Sequence, residues 1–420
     1  MKLKQLAKRL STRSFDRVFL RILSISKRYG WTPERYCCQL TEMIQLCKTY
    51  GFKPTFPVTA SVVERHPQRF RAAQTLGAEF AIHGLKHIDY THLSRDDVKD
   101  HAQKAQQAFK MHGLEAQGFR YPYLRQNHQT VQCIADSGYQ WDSSQAIAWT
   151  GLAESEFSSH IWSNYQSILR TYHAITYQPH QARPRWDNGF IHLPVTVPDD
   201  DILIERLELK CSNKIDAILS EMYVNFTANG DFLNLQMHPE RFSCFREPLE
   251  SLMSKAANDS AIWKASLNEV ATWWKKRCEI AFDVQRTPEG WFLYLNTPEC
   301  AVFEIWQAGE RKPQKWDEKK AWKVKPLIGV AKENISEWSA VLRNEGFLFE
   351  VDASSADVAV MLPDRSVKAE ACDLYALLDK TSAPTIKVST WPQGFRAAVS
   401  VSGDIDGIDL IDFWERFHGN

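Results

Sequence analysis

Ala397-Ala398-Val399-Ser400-Val401-Ser402-Gly403-Asp404-Ile405-Asp406-Gly407 reads as a β-strand that ends in a pair of carboxylates. Phe395 to Val401 forms its apolar run, and Leu410 to Phe417 begins a helix after it. A lone strand and a short helix bury no core of their own, so this segment must dock against another part of the chain. Asp404 and Asp406 alone also suit a turn or a helix entry, where acidic residues are favoured.

Upstream, helices and strands alternate. Glu34 to Tyr50 has a helical pattern stopped by Gly51, with Thr32 as its expected cap and Pro33 at the first helical position. Lys53 to Thr59 is β-like, Gln68 to Leu76 is helical, and Ala78-Glu79-Phe80-Ala81-Ile82 is a strand running into His83. Ser94 caps a further helix, and Gly118-Phe119-Arg120 is again strand-like. Gly189 to Val195 forms a strand followed by the acidic loop Asp199-Asp200-Asp201. Phe232 to Met237 is another strand, delivering His238-Pro239-Glu240, and a helix is expected from Trp263 to Arg277. Such alternation predicts an α/β fold of parallel βα units, with chemistry placed on loops at strand carboxyl ends. Beyond residue 278 the texture changes. Residues 279–326 read as a small β unit, with Glu279 to Gln285, Trp291 to Asn296 and Ala301 to Gln307 as strands. Residues 327–389 read as a small α/β unit.

Chemistry-bearing residues sit at the predicted strand ends. His83 and His87 in His83-Gly84-Leu85-Lys86-His87 would share a face on a helical turn and so reach one ion. Two histidines at that spacing are nevertheless common surface or core residues. In Arg120-Tyr121-Pro122-Tyr123, the arginine could brace a carboxylate, and the proline could stiffen a backbone whose next N–H faces an oxyanion. A loop with a plain salt bridge fits equally. Asp404 and Asp406 could divide two roles, one ligating a metal and one taking a proton from water. His238 could protonate a leaving amine, with Asp142 as a candidate to orient it, though a structural role suits Asp142 as well.

Taken together these residues resemble the polysaccharide deacetylases, carbohydrate esterases of the NodB-homology group that remove acetyl groups from sugars. The resemblance runs from about Phe52 to Arg277. It rests on Thr55-Phe56-Pro57-Val58, the His83-to-His87 pair, Gly118-Phe119-Arg120-Tyr121-Pro122-Tyr123, Gly138-Tyr139 with Asp142-Ser143-Ser144, Leu193-Pro194-Val195 leading to Pro198-Asp199-Asp200, and the strand into His238. It implies a distorted (β/α) barrel with fewer than eight full repeats and a divalent ion, commonly zinc, held by Asp-His-His. On that pattern His83, His87 and Asp406 would be the ligands, and Asp404 would be the base, braced by Arg120. The Tyr123 backbone N–H would help bind the oxyanion, and His238 would be the acid. One departure stands out. The family's acidic strand comes first, whereas here it comes last, and the lone early acid, Asp16, sits in a basic helical context. Three arrangements account for this: a circular permutation in which the last strand fills the first barrel slot, a second truncated domain, or chance likeness. The first is preferred, because the barrel lacks one strand and one carboxylate pair and this segment would supply both. The deacetylase barrel would then comprise residues 1–278 and 390–420.

Composition agrees with this reading. Lys+Arg and Asp+Glu both number 51, so the formal charge is zero, which argues against a dedicated nucleic-acid binder. Fifteen tryptophans weakly suggest carbohydrate, since exposed indoles suit sugar faces. Nine scattered cysteines without a Cys-x-x-Cys read as reduced thiols. No stretch forms a signal-peptide core or a membrane span, so a cytoplasmic location is expected. The basic N-terminal segment, with Lys2, Lys4, Lys8, Arg9, Arg13, Arg17 and Arg21 among leucines, allows peripheral membrane contact, though an ordinary solvated helix is favoured. The activity expected is metal-dependent removal of N-acetyl groups from a sugar or polysaccharide, in bacterial surface or exopolysaccharide metabolism. Alternatives are a related C–N hydrolase on a non-sugar amide or lipid-linked amino sugar, and a polysaccharide-binding barrel without turnover. No Gly-x-Ser-x-Gly elbow or Gly-x-x-x-x-Gly-Lys loop points elsewhere.

Overall fold

The computed structural model describes residues 29–210, 212–296, 300–314 and 319–418. The basic N-terminal segment, read above as a solvated helix that allows peripheral membrane contact, lies outside them. Among the described residues no helix is long and apolar enough to cross a membrane.

Eleven strands of the main sheet come early. They are β1 (Thr55–Val58), β2 (Glu79–Ile82), β3 (Ala116–Phe119), β4 (Trp141–Asp142), β5 (Ala146–Ala148), β6 (Ile175–Thr176), β7 (Arg185–Asp187), β8 (Phe190–His192), β9 (Val195–Val197), β10 (Phe232–Gln236) and β11 (Ile262–Lys264). Elsewhere, β12 (Ala281–Thr287) and β13 (Gly290–Asn296) form a hairpin. β14 (Phe303–Gln307), β15 (Glu310–Gln314) and β19 (Thr385–Val388) make an antiparallel sheet. β16 (Lys325–Val330), β17 (Phe349–Val351) and β18 (Val358–Met361) make a parallel one. The last strand, β20 (Ala397–Ser402), returns to the main sheet.

Strand order in the main sheet is β6-β5-β9-β10-β20-β1-β2-β3-β4-β8-β7, with β11 also paired to β20. β4 and β5 are two halves of one bent strand, as are β8 and β9, and the halves lie on opposite sides of this order. Followed through the bends, the parallel pairings close into a ring of seven: residues 55–58, 79–82, 116–119, 141–148, 190–197, 232–236 and 397–402. The fold is therefore an α/β barrel with fewer than eight full repeats. β20 stands in it between β10 and β1. Its first half pairs with β11 (Ala397 to Val399 against Ile262 to Lys264) and its end pairs with β1 (Ser402 against Thr55).

All six β20 residues are buried, as expected of a parallel strand covered on both faces. Its continuation keeps pairing: Ile405 N–H donates to Pro57 O at 2.8 Å and Thr59 N–H donates to Ile405 O at 3.3 Å. The helix Leu410–His418 then docks on Ala60–Arg65, where Arg65 bonds to Asp412 at 2.5 Å and also pairs with Glu415.

Two local expectations differ. Helix Glu34–Thr49 starts after Pro33, which is itself the N-cap, and makes no side-chain cap bond. Trp263 lies in strand β11, and its helix begins only at Leu267, where Ser266 and Glu269 form a capping box. Pairing with β20 overrides the local helical pattern there.

Candidate metal centre

Asp404 and Asp406 reach the barrel mouth because Ile405 is locked into the β1 ladder and fully buried. Period-two alternation puts both carboxylates on the face opposite Ile405. A Cβ on Gly403 would lie 2.0 Å from the Met237 carbonyl oxygen, so the strand can approach β10 this closely only through glycine.

His83 follows β2, with its N–H donating to Val58 O at 2.8 Å. His83 and His87 do converge, but by a bend rather than a helical turn. Gly84 has φ +86°, and Tyr90 fills the inside of the bend, its hydroxyl accepting from Leu85 N–H at 2.8 Å. The imidazole of His83 places Nδ1 2.8 Å from the Arg120 carbonyl oxygen. Nδ1 must carry a proton to donate there, which in the neutral imidazole leaves the Nε2 lone pair for a ligand. That Nε2 lies 3.3 Å from Asp406 Oδ1, and His87 Nε2 lies 3.3 Å from Asp406 Oδ2. Ligands of a tetrahedral zinc at about 2.1 Å are separated by about 3.4 Å, so two imidazoles and one carboxylate fit a divalent cation. The three groups offer ligand atoms within 4.8 Å of one another.

Arg120, fully buried, braces Asp404: Nη1 donates to Asp404 Oδ1 at 2.8 Å. Its other nitrogens are taken by the Ser143 carbonyl (2.7 Å), Ser143 Oγ (2.9 Å) and Ser402 Oγ (3.0 Å). Asp404 Oδ2 accepts from Gln236 Nε2 at 3.1 Å and lies 3.7 Å from His83 Nε2. Tyr123 sits at φ 60°, ψ 13°, partly exposed, with its ring edge-on to His87 at 4.4 Å between centroids.

His238 pairs with Asp200, not Asp142: Nδ1 lies 2.7 Å from Asp200 Oδ1. Burial disfavours the imidazolium, but the Asp200 carboxylate outweighs it and holds His238 well above the usual imidazole range. Asp142 instead holds His192 across β4 and β8 at 2.5 Å. The partner comes from the loop after β9, part of the acidic Asp199-Asp200-Asp201 run that sequence reasoning noticed without assigning it to His238. Burial, then Asp200 and Asp201, push Asp199 up to about 7. Burial also opposes ionisation of Asp200, but His238 and Arg241 reverse that and hold it below the usual range. Arg241 secures the loop by donating to Asp201 Oδ1 at 2.6 Å and Glu240 Oε1 at 3.1 Å.

Residues 34–141 match the family model described as polysaccharide deacetylase. Over that stretch the chain is similar to polysaccharide deacetylase domains. His83, His87, Arg120 and Tyr123 fall inside the matched segment, while His238, Asp404 and Asp406 fall outside it. The chain is 31% identical over 93 residues to the peptidoglycan deacetylase-like protein FGM2 of Gibberella zeae, covering 22% of this chain and 28% of that relative's length. A candidate polysaccharide deacetylase from Mycobacterium smegmatis superposes with a TM-score of 0.45 at 17% identity, over 62% of this chain and 83% of that one. The Puue allantoinase superposes with a TM-score of 0.43 at 16% identity, over 55% and 70%.

Proposed function

We propose that the deacetylase domain hydrolyses the N-acetyl group of a sugar or polysaccharide, with a divalent cation such as zinc held by His83, His87 and Asp406. The observation that supports it best is the seat of β20 between β10 and β1, which brings Asp406 to the two histidines and Asp404 to Arg120. The same seat supports a circularly permuted barrel whose last strand does the work of a first one.

A cation bound there supplies Lewis acidity, drawing the pKa of a coordinated water toward neutrality. The protein groups do the rest. Asp404, fixed by Arg120, accepts a proton as water attacks the acyl carbon. The Tyr123 N–H lies in the stiffened Arg120-Tyr121-Pro122-Tyr123 turn and assists the developing oxyanion. His238, kept protonated by Asp200, donates through its other ring nitrogen to the leaving amine as the C–N bond breaks. Acetate and a free amino sugar result. The setting that suits this chemistry is bacterial surface or exopolysaccharide metabolism.

Asp406→Ala and His83→Ala test the reading. Each variant should lose stoichiometric zinc and at least about 100-fold of acetate release from an N-acetylated oligosaccharide. Full metal binding and turnover in either variant would overturn it.

A further inference from the structure

Gln236 ends β10, in register with Ser402 of β20, and is 3% exposed. Its side-chain orientation is dictated by chemistry. The atom 3.1 Å from Asp404 Oδ2 must be the amide nitrogen, because a carboxylate can only accept. The opposite end, Oε1, is therefore a pure acceptor. It is buried and meets no donor among the described residues. A buried amide oxygen is rarely left that way, so a donor absent from the protein itself belongs there.

Geometry limits what that donor can be. Amide oxygen and nitrogen are about 2.3 Å apart, so Oε1 lies within about 5.4 Å of Asp404 Oδ2. One water making two hydrogen bonds of about 2.8 Å spans such a gap. Asp404 Oδ1 is already occupied by Arg120, whereas Oδ2 is the oxygen nearer His83. Oδ2 is thus the atom that receives the proton under the hydrolase reading, on which this inference rests.

We propose that Gln236 is a positioning residue that holds the second hydrogen of the attacking water. One O–H points at Asp404 Oδ2 and the other at Gln236 Oε1, which aims an oxygen lone pair at the acyl carbon. As the new C–O bond forms, the first proton passes to Asp404. The second stays on the attacking oxygen, still held by Gln236, until the C–N bond breaks and the amine takes its proton from His238.

Two variants of the full chain test this. Gln236→Met keeps the length and removes donor and acceptor together, whereas Gln236→Glu keeps an acceptor oxygen. High-resolution crystal structures should show a water within about 2.6–3.2 Å of both Asp404 Oδ2 and Oε1 in the wild type. The water should persist in Gln236→Glu and vanish in Gln236→Met. Acetate release by Gln236→Met should show kcat down about 10- to 100-fold with KM within about twofold. If Gln236→Met does not fold, the wild-type and Gln236→Glu structures decide the question. A wild-type structure with no water there, or with a protein donor on Oε1, overturns the proposal, as does an unchanged kcat in Gln236→Met. A wild type that holds the water yet releases no acetate upholds the contact and sinks the hydrolase reading instead.

Discussion

Arg120→Met removes a buried guanidinium that joins two points 284 residues apart in sequence. Its loss leaves the Asp404 carboxylate with Gln236 as its remaining close donor, and leaves the Ser143 carbonyl without its 2.7 Å partner. Both serine hydroxyls keep other partners: Ser143 Oγ accepts from Asn234 Nδ2, and Ser402 Oγ donates to Asn234 Oδ1 or Leu235 O. The damage is therefore one stranded charge and one stranded carbonyl. Breaking a buried ion pair costs about 3–5 kcal/mol, and an unmatched carbonyl about 1–3 kcal/mol. Arg120→Met should lose roughly 4–8 kcal/mol. Adding Asp404→Asn removes the stranded charge, so the double variant should be more stable than the sum of the singles by at least about 2 kcal/mol. Urea unfolding of the four proteins, compared at constant m, measures this coupling. Additivity to within about 0.5 kcal/mol would mean that the two side chains do not touch, and the seating of the last strand would be wrong.

Two further outcomes follow from buried groups outside that pair. Asp199 holds its proton up to about 7, so its contribution to stability is complete below about 4 and is lost as pH rises toward 7. Asp199→Asn should match the wild type at about pH 3.5 or below in urea and exceed it at pH 8 by on the order of 2–4 kcal/mol; equal midpoints at pH 8 would contradict the assignment. Arg277, buried, donates to the carbonyls of Asn344 (2.8 Å), Glu345 (2.6 Å) and Ser389 (2.9 Å), closing the end of the helix Ile335–Glu345. Arg277→Ala should raise amide hydrogen exchange about 10-fold or more at Gly346 to Leu348 and leave acetate release unchanged; unaltered exchange would show the contact to be idle.

Much of the barrel was legible because buried parallel strands are short apolar runs punctuated by glycine and proline. The stretches ending at Ile82, Phe119 and Gln236 are of this kind. The docking of residues 397–406 was also legible, since a strand with no core of its own has to find one. Details set by tertiary packing were not. The convergence of His83 and His87 depends on Tyr90 packing inside a glycine bend, which periodicity does not encode. The partner of His238 is decided by which loop folds over it, and both Asp142 and Asp200 had suitable chemistry. Ile262 to Lys264 became a strand because β20 offered an unpaired edge. β19 joins β14 across residues that sequence texture assigns to different units.

The proposed cation site draws on residues from both ends of the described chain. Anomalous scattering from crystals grown with zinc tests it most directly. A single strong peak is expected about 2.0–2.2 Å from His83 Nε2, His87 Nε2 and an Asp406 oxygen of the same chain. A peak bound by the histidines without Asp406, or seated instead at Asp199, Asp200 and His238, would contradict it.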